Sequence, residues 1–340
     1  MKMTDIVLLN STNFPEIDQI IYGIIKLGEY HFFSRIRGYY LVGSYAVGEA
    51  VATSDIDIVI VFKDKQTLEE KQKFAFYKQE FQQQCPLALD LIPVDEAQLF
   101  SVGGVKFQTA SLLIYGEDIR DSVPVKRVAD HIRDSMFGQY RLFAKLRDNP
   151  PQLTFPLSYP DPVGEFYGYD RRLMHLRDGT SHKGIKDLVI NVLSPAEALI
   201  LHKAGKYIGG GSWKRNSATQ YRIWIHDEWT ELVEQIYEYG CRRWAYLIPE
   251  ATDDRQLLRY LCKQALGFEN HFLECYRLYL LEKLPRSQPF EQLQYVKQLG
   301  QLIYPGDGKI ITVLEEVAQN GNPELQQAVF QTLDVWQKSQ

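Results

Sequence analysis

Two aspartates one residue apart, Asp55 and Asp57, stand at the head of the apolar run DIDIVIVF. In a strand, residues i and i+2 point to the same side, so the two carboxylates share one face while Ile56 and Ile58 take the other. Carboxylates this close repel each other. An all-oxygen pair suits a divalent cation such as Mg²⁺, which takes few protein carboxylates and fills its other positions with water and substrate phosphates. Asp90 interrupts a second apolar stretch, LALDLIPV, and the 32 residues between Asp57 and Asp90 leave room for the rest of one strand, a crossover helix and the start of its neighbour. Three aspartates on adjacent strands can hold two metal ions that bridge the attacking and leaving oxygens of an in-line displacement at phosphorus. Asp95 and Glu96, after Pro93, read instead as solvated loop residues.

Gly43 and Ser44 precede the aspartates and fit the same chemistry. A glycine leaves space for a triphosphate, the backbone N–H groups of the turn after it form an anion cradle, and the Ser44 hydroxyl can donate to a phosphate oxygen.

The elements that must position these residues follow from periodicity. Ile17, Ile20, Ile21, Ile24 and Ile25 fall at helical spacing after Asn13, a candidate cap, and Pro15 in the first turn. GYYLVGS reads as a strand ending at Gly43, and DIDIVIVF as the next. Residues 64–85 read as a helix with Leu68, Phe74, Phe76, Tyr77 and Phe81 on its buried side, PLALDLIPV as a third strand, and TASLLIYGEDI as a fourth ending at Gly116. From about residue 125 helical signals take over, at 127–147, 194–207, 228–246 and 255–284. The expected fold class is α+β: a mixed sheet with flanking helices over 1–122, a mainly α-helical domain over 123–285 that contributes to the cleft, and a small helical extension over 286–340.

The motif residues resemble the nucleotidyltransferase superfamily related to DNA polymerase β, whose signature is an apolar residue, Gly, Gly or Ser, a spacer, then Asp, an apolar residue, and Asp or Glu. Here it reads Val42-Gly43-Ser44, ten residues, Asp55-Ile56-Asp57, with Gly48 and Ser54 also where antibiotic and minimal adenylyltransferases commonly have them. The resemblance covers about residues 38–118, a quarter of the chain. It implies transfer of a nucleoside monophosphate from a nucleoside triphosphate, with pyrophosphate leaving, and a catalytic domain followed by a helical one. ATP is then the expected co-substrate, with two Mg²⁺ ions on Asp55, Asp57 and Asp90, and with Gly43, Ser44 and Ser54 at the nucleotide.

The stretch KAGKYIGGGSWKR collects Lys203, Lys206, Lys214 and Arg215 around Gly209–Gly211 but is no P-loop. As an interhelical loop facing the cleft it would meet the departing pyrophosphate, and Lys203 is the residue chosen for that role. Glu165, Asp170 and Asp178, with Tyr167 and Tyr169, are candidate acceptor contacts in a Pro- and Tyr-rich segment too long for a plain connection. The seven histidines do not cluster, and His175 and His182 have no ligand partner in sequence.

A formal charge of −5 removes the global basic field that holds long nucleic acid. Cys85, Cys241, Cys262 and Cys275 form no CxxC pair and read as reduced thiols. The N-terminal apolar run is too short for a signal peptide, and no segment reaches the roughly 18 apolar residues of a membrane helix, so a cytoplasmic protein without membrane contact is expected. The sequence thus predicts a Mg²⁺-dependent enzyme moving AMP from ATP to a hydroxyl of a small molecule or protein. Its alternatives are a cyclic oligonucleotide synthase and a non-catalytic nucleotide sensor or antitoxin-like partner. The acceptor, the general base and the oligomeric state are not legible.

Overall fold

A computed structural model of the protein describes residues 6–85 and 87–338. The first residues of the N-terminal run and Pro86, the first residue of the third strand stretch, lie outside the described residues. Helix α1 (Pro15–His31) opens the chain, then β1 (Ile36–Val42), the single turn α2 (Gly43–Ala46), β2 (Ile56–Phe62), α3 (Leu68–Gln84), β3 (Leu89–Asp95), α4 (Glu96–Val102), α5 (Val105–Ala110) and β4 (Leu112–Gly116). The four strands form one sheet in the order β3-β2-β1-β4. β1 runs antiparallel to β2 and β4, while β2 and β3 are parallel, so the sheet is mixed.

Alternation along β2 decides what each face meets. Ile56, Ile58, Ile60 and Phe62 join the α1 isoleucines and Phe74 and Tyr77 of α3 in one apolar layer. Val59 and Val61 face the other way, with Tyr40, Leu99 and Phe107. Asp57 belongs to that second face, at its open end. The register sets Asp57 opposite Val42 of β1 and opposite Asp90 of β3. Parallel partners in register point to one side, so the sheet places both aspartates on the face expected of them.

Three sequence readings change here. Asn13 is not the α1 cap: the N-cap is Phe14, and Asp18 reaches back instead, accepting from the Thr12 N–H (2.9 Å) and the Ser11 hydroxyl (2.5 Å). In α3, capped by Thr67 and Glu70 in a reciprocal capping box, Phe74 and Tyr77 are buried but Leu68 and Phe76 are exposed. Asp95 is buried at the end of β3, where its Oδ1 accepts the Gln66 N–H at 2.8 Å, and Glu96 pairs with Arg37 at 3.2 Å. They tie strand ends together rather than lie solvated.

The remainder is mostly helical: α6 (Val128–Leu146), α7 (Lys186–Ala204), α8 (Trp213–Trp224), α9 (Thr230–Gln235) continued by a π-type stretch Ile236–Arg243, α10 (Thr252–Lys283), α11 (Pro289–Leu299), α12 (Gly308–Asn320) and α13 (Pro323–Lys338). One apolar core, from Met136 to Trp336, unites them. α7 is its axis, burying Leu188, Val189, Val192, Leu193, Ala196 and Leu199 against α6, α8 and α10. The long Pro- and Tyr-rich segment is partly regular: β5 (Leu153–Thr154) pairs with β8 (Leu302–Ile303), and β6 (Arg172–His175) makes a hairpin with β7 (Ser181–Gly184). α8 begins inside the stretch expected as an interhelical loop; it forms because Ser212 caps it, accepting from the Arg215 N–H, and Ser217, Ala218 and Tyr221 give it a buried face. No helix among the described residues is long and apolar enough to cross a membrane.

Candidate active site

A cleft of about 1080 Å³ opens between the sheet and the helical part. Its sheet-side wall includes Gly43, Ser44, Ser54, Asp55 and Asp57, and its helical wall Lys186, Trp213, Lys214 and Tyr246. Ligand pockets commonly measure roughly 300–1,000 Å³, so this cleft lies at the large end of that range.

Glycine suits position 43: the φ is +72°, and a β-carbon there would meet Asp57 Oδ2 unless that carboxylate moved. The backbone of the turn therefore lies directly over the carboxylate. Ser44 lines the cleft beside it. Ser54 also lines the cleft, but its Oγ accepts the Val51 N–H at 2.9 Å, fixing the turn that delivers Asp55.

The two carboxylates of the pair are electrostatically unlike. Lys186 Nζ donates to Asp55 Oδ2 at 2.7 Å. Burial favours the neutral form of Asp55, but the Lys186 charge and hydrogen bond outweigh it and hold the pKa below the usual carboxylate value. Asp57 has no such partner at hand: burial first, then the negative charge of Asp55 and of Asp90, push it up to about 7. Crowding of this kind is what a divalent cation relieves, so Asp55 and Asp57 fit one. The third carboxylate is not gathered in. β3 is the sheet edge, and Lys78 of α3 wraps over it to bind Asp90 Oδ1 at 2.8 Å and the Leu91 carbonyl at 3.2 Å. Among the described residues no group of three His, Cys, Asp or Glu side chains stands ready to hold a metal.

On the opposite wall, Lys214 Nζ donates to the Tyr246 hydroxyl at 2.7 Å and lies 4.8 Å from that ring's centre. Burial pulls its pKa down. Lys106 lies 5.3 Å from the Trp213 ring centre and pairs with Glu197 at 2.9 Å. Glu49 accepts from Arg215 and, at 3.1 Å, from the Tyr237 hydroxyl. Each wall of the cleft thus carries both ammonium and carboxylate groups, with Lys186 and Lys214 of the helical wall on the side of Asp55.

Of the basic stretch, Lys214 and Arg215 reach the cleft. Lys203 sits exposed near the end of α7 and is not among the lining residues. The acceptor candidates fall elsewhere: Glu165 binds Arg255 and Arg259, Tyr169 is fully buried, Tyr167 stacks on Tyr159, and Asp178 accepts from Thr180. Neither these nor Asp170 line the cleft. Sequence reasoning missed Lys186. Its signal was local: a lysine at the first position of a helix opposes the helix dipole and asks for a carboxylate partner.

Residues 30–115 match the family model of the nucleotidyltransferase domain. That span, a quarter of the chain, contains β1 to β3, most of β4, the Gly43-Ser44 turn and all three aspartates, so residues 30–115 carry a nucleotidyltransferase domain. No curated protein matches the chain.

Proposed function

We propose that the protein is a Mg²⁺-dependent nucleotidyltransferase that moves AMP from ATP to a hydroxyl of a small molecule or protein. The observation that carries this reading is the stacking of Gly43 over Asp57 in a cleft whose far wall presents Lys186 and Lys214. Asp55 and Asp57 would hold Mg²⁺, which supplies charge neutralisation at the triphosphate. Ser44 and the backbone amides of its turn bind phosphate oxygens. Lys214 and Lys186 meet the β- and γ-phosphates, where negative charge grows as the bond to the α-phosphorus breaks. The acceptor oxygen bonds to that phosphorus, pyrophosphate departs with the bridging oxygen, and the hydroxyl proton passes to Asp90 once Lys78 releases it.

The adenine preference, the Mg²⁺ preference and the domain division at 122 and 285 belong to the same proposal, as does the cytoplasmic setting. Incubating the protein and Mg²⁺ with each α-³²P-labelled nucleoside triphosphate tests it. Labelled adduct with pyrophosphate release, strongest with ATP, supports the reading. Oligonucleotide products would replace it with a synthase, and nucleotide binding without turnover would replace it with a sensor.

A further inference from the structure

Lys186 occupies an unusual position for a phosphate-binding lysine. It is the first residue of α7, where Ile185 offers no side-chain cap and the unpaired N–H groups already carry partial positive charge. A cation there is disfavoured unless a carboxylate compensates it. The compensating group is Asp55, 131 residues away across the cleft. The ion pair is largely shielded, with the lysine side chain 16% and the aspartate 34% exposed. Asp55 Oδ2 therefore already has a cation on it.

That oxygen is also one of those a divalent metal would need. An ammonium and a metal dication sharing one carboxylate oxygen in a shielded cleft repel strongly. While Lys186 stays on Asp55 Oδ2, binding of a metal at that oxygen is disfavoured. Lys186 in turn has few places to go, since Lys214 beside it adds a second positive charge to the same wall: each of the two lysines lowers the pKa of Asp55, and Lys186 bears on Lys214 as a like charge. The group that would welcome both ammoniums is a polyphosphate anion.

We infer that Lys186 is a resident counter-ion exchanged on ligand entry: it holds Asp55 in the metal-free protein, and a polyphosphate draws it off so that the metal can take its place. This rests on the nucleotidyltransfer reading for the identity of the site. Metal and polyphosphate then promote each other's binding through Lys186, a reciprocal coupling between two ligands. Metal alone binds poorly. The arrangement keeps the carboxylate pair neutralised and ordered in the empty cleft, and it favours entry of the metal together with the anion.

The test is binding without turnover. Mn²⁺ is titrated calorimetrically into nucleotide-free wild-type protein, K186M, K186Q and K186R, and inorganic tripolyphosphate is titrated into the same four with no divalent metal present. Exchange predicts opposite signs: K186M and K186Q bind Mn²⁺ tighter than wild type, within the roughly 5- to 150-fold range of site-to-site coupling, and bind tripolyphosphate more weakly. K186R, which keeps the charge, stays close to wild type in both. Circular dichroism checks each variant, and K186Q keeps a hydrogen-bond donor should K186M fold poorly. If the uncharged variants bind Mn²⁺ no tighter, or K186R behaves as they do, the exchange is wrong. The outcome is separable from the function: an exchange seen in a protein that transfers nothing overturns only the transfer, and transfer without the exchange overturns only the lysine's role.

Discussion

Lys186 Nζ lies 2.7 Å from Asp55 Oδ2, so the two carboxylates of the Asp-x-Asp motif, alike in sequence, are not alike in the folded protein. One is compensated from the helical part, and the pKa of the other is raised to about 7, first by burial and then by the negative charge of Asp55. Their variants should differ accordingly.

Asp57→Asn should stabilise the metal-free protein at neutral pH. The native pKa is raised from 3.8 to about 7, so between those values the unfolded chain gives up a proton that the native state keeps. The native state is therefore penalised increasingly as pH rises through that window, and fully above it. The substitution should recover on the order of 2 kcal/mol at pH 8, a partial share of what about 1.4 kcal/mol per unit would supply, and almost nothing at pH 4. Urea unfolding at pH 4, 6 and 8 checks the trend, and a gain independent of pH would contradict it. The same variant should lose transfer activity.

Asp55→Asn should do the reverse to stability. It strands the Lys186 ammonium at a helix N-terminus, at a cost of about 1–3 kcal/mol for a partly shielded pair. Because the native pKa of Asp55 is lowered, its contribution is present above the unfolded value and fades as pH falls through the native one. Thermal unfolding of wild type and variant should converge in acid.

Gly43→Val should abolish activity and destabilise the fold, since the new β-carbon meets Asp57 Oδ2 and a β-branched residue resists a φ of +72°. Ser44→Ala should instead weaken binding of a non-hydrolysable ATP analogue by only about 0.5–1.5 kcal/mol. Equal affinities in the two would remove the turn from the phosphate site.

Lys214→Met should lower turnover by more than Lys203→Ala, because Lys214 lines the cleft and Lys203 does not. Steady-state kinetics of both, beside nucleotide affinity, distinguish them. A large loss in Lys203→Ala alone would mean that the helical part closes much further than the structure has it.

The sheet and its motif were legible because strands announce themselves by β-branched runs and because polar residues inside such runs need a reason. Asp55, Asp57 and the register partner Asp90 followed from that logic, and Gly43 from the space that a phosphate group needs. The helical wall was not legible in the same way. α8 was hidden by three glycines and a basic cluster, although Ser212, Ser217 and Tyr221 carried its cap and its buried face. Lys186 was hidden because a pairing across 131 residues has no local trace except the awkwardness of its own helix position. Asp90 was placed correctly on its strand, yet its Lys78 partner depends on β3 being the edge, which is a property of strand order rather than of any one segment.

The two walls of the cleft are joined largely by charge: Lys186 to Asp55, Lys106 to Glu197, Arg215 to Glu49 and Arg177 to Glu16. Among the described residues the apolar clusters stay on their own sides, with Val51 of the sheet side packed against the helical core. Such a seam behaves like a clasp made of magnets rather than glue. Its grip weakens as dissolved ions shorten the reach of charge, to about 8 Å at physiological salt and 3 Å at 1 M, while each half keeps the oily centre that folds it. The exposed pairs of this seam should loosen in concentrated salt well before the shielded Lys186–Asp55 pair does.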